Sequence, residues 1–171
     1  MKGSPYIAWA KSHSGIRYNL AASGVRPCPA ELLEPTLDDL TIEAPHPHGW
    51  PPLIDRIARR YDVAESRVVL AHGASMANHL ACATLLEPGD DVLVEHPAYE
   101  PLVALPRYLR ANVRTFARVP EDGWRLDPDR VAAALTPRTR LVILSHLHNP
   151  TGARAGQAEL RALGELAEAR G

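Results

Sequence analysis

Three short stretches carry residue types that could hold a ligand. They are Gly73-Ala74-Ser75, His96-Pro97-Ala98-Tyr99 and Ser145-His146-Leu147-His148-Asn149-Pro150-Thr151-Gly152. In the first, small residues let an anion approach the backbone, and the Ser75 hydroxyl adds a donor. If a helix opens there, its free N–H groups and dipole favour a phosphate. In the second, the Tyr99 ring could cover a planar ligand. In the third, the Asn149 carboxamide offers a donor and an acceptor from a loop set by Asn-Pro and Gly turn chemistry. Each has a plain alternative. Ser75 could cap its own helix, Tyr99 could pack at the edge of a core, and Asn149 could be a turn residue.

The three must be positioned by regular elements. Pro51-Pro52 can open a helix whose apolar face is Leu53, Ile54, Ile57, Ala58 and Tyr61. Arg67 to Ala71 reads as a strand that runs into Gly73-Ala74-Ser75 and a helix reaching Leu86. Val92-Leu93-Val94 is a second strand, followed by a helix between Tyr99 and Arg110 that contains Pro101 and Pro106. Val113 to Phe116 is a third strand. Asp127 is an N-cap candidate for a short helix. Arg140 to Leu144 is a fourth strand, apolar enough to be buried on both faces. A last helix would turn Leu160, Leu163 and Ala167 inward. Strict alternation of strand and helix predicts an α/β fold with a mostly parallel sheet. Ligands of such sheets bind outside the carboxyl ends of the strands, where all three stretches fall. A phosphate cup, a ring cover and a donor at one sheet edge fit a phosphorylated aromatic ring with a phenolic oxygen. That description points to pyridoxal 5'-phosphate, a cofactor that acts as an electron sink while the protein positions it.

The remaining composition excludes other classes. The formal charge is -1 over 171 residues, with no basic stripe for nucleic acid or for a membrane surface. No apolar run reaches membrane-spanning length, and the first residues lack a signal-peptide core. Cys28 and Cys82 form no CxxC pair, so a reducing, cytoplasmic setting is expected. His46 with His48, and His146 with His148, are i, i+2 pairs, but no Cys or carboxylate completes a metal-ligand set. No GxGxxG follows a strand, which argues against a dinucleotide site. Residues 1–48 are rich in Pro, Ser and His and read as an extended arm or small-domain segment. Residues 49–171 read as a partial cofactor-binding large domain.

At this point the chain resembles the N-terminal portion of class I/II aminotransferases, of the fold-type I pyridoxal-phosphate enzymes. The resemblance is carried, in order, by Tyr18-Asn19-Leu20-Ala21-Ala22-Ser23-Gly24, Gly49-Trp50-Pro51-Pro52-Leu53, Gly73-Ala74-Ser75, His96-Pro97-Ala98-Tyr99 and His148-Asn149-Pro150-Thr151-Gly152. The last motif is the most specific. The resemblance implies that Gly73, Ala74 and Ser75 bind the cofactor phosphate and that Tyr99 stacks on the pyridine ring. It implies that Asn149 bonds the phenolic oxygen, often from a cis Asn-Pro loop, and that Gly24 lies near the substrate carboxylate. It also implies an amino acid and a 2-oxo acid as substrates, and a homodimer. Where family members often carry a tyrosine that reaches the partner's cofactor, this chain has His48.

The resemblance places the cofactor-bearing lysine, the aspartate facing the pyridine nitrogen and the arginine for the substrate carboxylate after the Asn-Pro-Thr-Gly motif. This sequence has two lysines, Lys2 and Lys11, both in the arm. No catalytic residue is therefore assigned. The expectation is an aminotransferase lineage without its lysine half, inactive alone and in need of a complementary C-terminal half. An incomplete sheet would leave an edge and a face uncovered, which predicts self-association. The alternatives are a non-catalytic remnant that binds the cofactor, or a carbon–sulfur lyase of the same fold.

Overall fold

The computed structural model describes residues 5–13, 17–18, 27–39 and 49–170. Gly24, His46 and His48 lie outside the described residues. The chain divides into two compact units, Pro5–Ala77 and Asn78–Gly171.

In the first unit, α1 spans Pro5–Ser12 and α2 spans Pro51–Tyr61. Pro51 and Pro52 occupy the first turn of α2, where a missing N–H costs nothing. Ile54 and Ala58 are its buried residues, while Leu53 and Tyr61 of the expected face are exposed. Gly49 precedes this helix at φ +107°, and a Cβ there would sit 2.7 Å from Leu70 Cδ1. A side chain at that position is opposed by both conformation and space.

The strand expected at 67–71 does not form. Glu65–Arg67 is a 3-10 turn, Val68 is extended, and Val69 is 80% exposed. A β-branched run becomes a strand only with a neighbour to complete its ladder, and no described strand pairs with it.

Helix α3, Gly73–Leu85, crosses the boundary between units. The second unit then alternates β1 (Asp91–His96), α4 (Glu100–Tyr108), β2 (Asn112–Ala117), α5 (Pro128–Ala134), β3 (Thr139–Ile143) and α6 (Gln157–Glu168). The sheet order is β2-β1-β3, and both pairings are parallel. The α/β architecture expected from the alternation is what the chain adopts.

β1 is the central strand. Val92, Leu93 and Val94 are fully buried, and each contributes about 1.5–3 kcal/mol by leaving water. Val92 and Val94 face one core with Cys82, Leu86 and Leu102. Leu93 faces the other with Phe116, Leu126 and Val131. This split follows from the two-residue period of a strand. Asp127 caps α5 as its position suggested, its carboxylate accepting the Asp129 N–H at 3.0 Å.

β3 differs from expectation. It is half-buried rather than buried on both faces, because it stands at the sheet's edge. Leu141, Val142 and Leu144 line clefts of about 780 Å³ on the α6 side and about 230 Å³ on the α4 side. The buried face of α6 is likewise shifted. Leu163 and Leu166 meet the core, whereas Leu160 and Ala167 are exposed along the larger cleft.

At the amino end of β1, Asp91 organises the turn into β3. Its carboxylate accepts from the Thr136 hydroxyl at 2.7 Å, from Asn112 Nδ2 at 3.3 Å and from Arg138 Nη2 at 3.4 Å. The Thr136 hydrogen bond above all holds this carboxyl below its ordinary value, against the opposing effect of burial.

Candidate functional site

The carboxyl ends of β1 and β3 are neighbours, and each runs directly into one of the chemistry-bearing loops. β1 ends at His96, and Pro97-Ala98 then leads to Tyr99, the residue that precedes α4. The His96–Pro97 and Asn149–Pro150 peptide bonds are cis, as is His146–Leu147. Tyr99 is half-buried and packs against the core of Val92, Val94 and Leu102. Asn149 is exposed. Its backbone N–H donates to Ser145 Oγ at 2.8 Å.

Gly73, Ala74 and Ser75 open α3, and all three are exposed. Gly73 has φ +79°, and nothing lies within 4 Å of where a Cβ would stand. The glycine is there for backbone conformation rather than for tight packing. The Gly73 N–H donates to the Ala71 carbonyl at 3.0 Å, and the N–H groups that follow in the first turn of this 13-residue helix have no carbonyl one turn back within it. These residues belong to the first unit, and Tyr99 and Asn149 to the second.

Four residues that sequence reasoning left unassigned join the two loops of the second unit. The β1–β3 ladder ends at Val94 and Ile143. Beyond it, the Glu95 carboxylate takes the place of a strand. Glu95 Oε1 accepts the Ser145 N–H at 2.6 Å and the Ser145 hydroxyl at 2.7 Å. Glu95 Oε2 accepts from Arg118 Nη1 at 3.0 Å. Glu95 is fully buried, and Arg118 is 2% exposed. Arg118 Nε donates to the Trp124 carbonyl at 2.7 Å, while its Nη2 is buried without a partner among the described residues.

His148 is 1% exposed. Its Nε2 stands 2.8 Å from the Pro97 carbonyl oxygen and 3.7 Å from Glu95 Oε2. A carbonyl only accepts, so Nε2 carries the proton. In the neutral ring, Nδ1, 2.6 Å from Thr151 Oγ1, then accepts a hydrogen bond from the Thr151 hydroxyl. His146 Nε2 likewise donates to the Ala155 carbonyl at 3.2 Å. The two histidines ahead of Asn149 thus hold the loop to its surroundings. A signal for Glu95 existed in the sequence, since a carboxylate inside Val-Leu-Val-Glu-His must find partners once that run is buried. Nothing local announced Arg118 as the partner, 23 residues away.

Among the described residues, no group of three or more His, Cys, Asp or Glu side chains could hold a metal ion. No described helix is long and apolar enough to cross a membrane.

Comparison with known proteins gives a consistent picture. The family described as aminotransferase class I and II matches residues 38–171. Arginine–pyruvate transaminase of Pseudomonas aeruginosa is 35% identical over 147 residues, which cover 81% of this chain and 37% of that protein. Aspartate aminotransferase of Thermus thermophilus, solved as a double mutant, matches with a TM-score of 0.70 at 31% identity. That match covers 72% of this chain and 34% of the solved one. A pyridoxal-phosphate-dependent aminotransferase of Streptococcus suis gives a TM-score of 0.72 at 27% identity, over 78% of this chain and 36% of that one. The chain spans about a third of the length of the relatives it matches.

Proposed function

The chain belongs to the class I and II aminotransferases, and on that premise we propose that it forms the cofactor-cradling part of a pyridoxal-phosphate-dependent amino-acid aminotransferase. The observation that carries this reading is the placement of Asn149. It stands in a braced loop at the carboxyl end of β3, beside the loop that leads to Tyr99 from β1.

The residue types suit the group. The open amino end of α3 at Gly73, Ala74 and Ser75 would hold the phosphate. Tyr99 would cover the ring, and the Asn149 carboxamide would bond the phenolic oxygen and fix the ring's rotation. Gly24 would lie by the substrate carboxylate. When bound, pyridoxal phosphate supplies the electron sink for amino-group transfer between an amino acid and a 2-oxo acid. These residues bind and orient; none of them moves a proton at the reacting carbon. The only lysines in this sequence, Lys2 and Lys11, lie in the N-terminal segment. The covalent anchor and the base would come from a complementary C-terminal half, with residues 49–171 as part of the large domain and residues 1–48 as its arm. A cytoplasmic homodimer is the expected assembly.

The test separates cradle from chemistry. Pyridoxine 5'-phosphate has no aldehyde, so it reads the cradle without needing a lysine. Titration of the 171-residue chain should show saturable binding that Ser75→Ala and Asn149→Ala each weaken. Incubation with pyridoxal phosphate, borohydride reduction and intact-mass analysis should give no adduct mapped to a single lysine. Absence of saturable binding would sink the cradle. A single mapped adduct would show that this chain carries its own anchor. Binding without an adduct, and with no complementary half encoded alongside, would favour a non-catalytic remnant.

A further inference from the structure

We propose that His148 and Glu95 are positioning residues that lock the Tyr99 loop to the Asn149 loop and so set the angle at which Asn149 meets the cofactor ring. The inference rests on the cradle described above, but its evidence is a separate set of contacts.

Two parallel strands stop holding each other where their ladder ends. Here that point is Val94 and Ile143. Past it, β1 continues through Glu95 to a cis-proline loop, and β3 turns away toward Asn149. Loops at that position usually move. In this fold three sets of hydrogen bonds take over from the ladder, two of them between the loops and one within the Asn149 turn. Glu95 receives the Ser145 N–H that would otherwise have lost its acceptor. Because a carboxylate only accepts, the Ser145 hydroxyl must donate to it, at 2.7 Å. The lone pairs of Ser145 Oγ are then turned outward, and one receives the Asn149 N–H at 2.8 Å. The buried carboxylate thereby reaches the backbone of Asn149 through a single hydroxyl.

The second link is the His148 ring, which spans from the Pro97 carbonyl to the Thr151 hydroxyl. Thr151 in turn receives the Ala153 N–H at 3.2 Å. The third is backbone: the His148 N–H donates to Ala153 O at 2.9 Å, and the Gly152 N–H to His148 O at 2.7 Å. Asn149 therefore sits between fixed points at 145, 148 and 151. The same imidazole also fixes Pro97, two residues from Tyr99. Arg118 from the end of β2 neutralises Glu95, so all three strands contribute to the brace. Neither Glu95 nor His148 is exposed enough to touch a ligand, and both act through Asn149 and Tyr99.

The test compares His148→Leu, which removes both ring hydrogen bonds, with His148→Gln, whose amide can still donate toward Pro97. Amide hydrogen exchange is measured on the 171-residue chain. In His148→Leu, exchange should rise at Ala98, Tyr99, Asn149 and Gly152 together, while Val92 to Glu95 stay protected. His148→Gln should restore protection at Ala98 and Tyr99. Unchanged exchange at either loop, or a uniform rise that includes β1, would overturn the brace.

A second arm uses pyridoxine 5'-phosphate and its 3-deoxy analogue. His148→Leu should weaken the first by on the order of tenfold, one hydrogen bond's worth, and the second far less. The double variant His148→Leu/Asn149→Ala should lose less than the sum of the two single losses, because the two changes act in part on one contact. Additive losses would overturn the claim that His148 works through Asn149. If the wild-type chain binds neither compound, the cradle reading fails, while the exchange arm still decides the brace.

Discussion

Arg118 and Glu95 form an ion pair of 3.0 Å with side chains 1% and 0% exposed. Charges this far from water are held by each other and by the Ser145 and Trp124 groups around them. Removing one partner leaves the other charged in a low-dielectric core. Arg118→Met should cost about 3–5 kcal/mol of folding free energy. Arg118→Met combined with Glu95→Gln should cost less than the sum of the two single changes. Urea unfolding of the four proteins checks this. Additive losses would mean that the pair is not a unit.

At the opposite end of β1, Asp91 gives a pH dependence with a definite sign. Its carboxyl is held below the ordinary value, chiefly by the Thr136 hydroxyl. A group lowered in the folded state contributes stability in full above its unfolded pKa, about 3.9 for an aspartate. That contribution is lost as pH falls through the lower, folded value. Thr136→Val should flatten the acid limb of the stability curve below roughly pH 4 and leave its shape near neutrality unchanged. Denaturation midpoints across that range test the point, and an unaltered acid limb would refute it.

The two thiols should react very differently. Cys28 is exposed, whereas Cys82 is buried in the core with Val92 and Leu102, and burial pushes its thiol pKa up. A raised pKa lowers the thiolate fraction at a given pH, and burial blocks access. A disulfide reagent at mildly alkaline pH should modify one thiol promptly and the other only as the chain unfolds. Equal rates would contradict the packing of α3 on β1.

Leu160 offers a test of the exposed sheet edge. It lies on α6 along the cleft beside β3, and it is 37% exposed. A strand edge with no neighbour among the described residues, flanked by apolar clefts, invites association. The 171-residue chain should sediment above its monomer mass of 18.7 kDa at micromolar concentration. Leu160→Lys should shift it toward the monomer without lowering stability, since this side chain is outside the core. A monodisperse wild-type monomer would rule out the expectation.

Much of the fold was legible because local chemistry and tertiary need coincide. Val92-Leu93-Val94 is apolar with two β-branched valines, and it became the central strand. Asp127 precedes a proline and capped its helix. The failures share a cause. Arg67 to Ala71 has strand composition, yet a strand exists only where another supplies its hydrogen bonds, and that neighbour is not among the described residues. Arg140 to Leu144 has the composition of a central strand but stands at an edge, so its burial depends on what lies beside it. Leu160 and Ala167 fit the helical period but fall on the open side of α6.

The sequence by itself determined the α/β alternation, the aminotransferase family and the residue types suited to a phosphate, a ring and a phenolic oxygen. Those properties are written in periodicity and in short motifs, which are local. Only the tertiary structure decided what holds Asn149 in place. Ser145 lies 50 residues from Glu95, with Arg118 between them in sequence and His148 further on, and their partnership exists because parallel strands bring their carboxyl ends side by side. A buried carboxylate must be satisfied by whatever the fold delivers there, and no local pattern states which residues those will be.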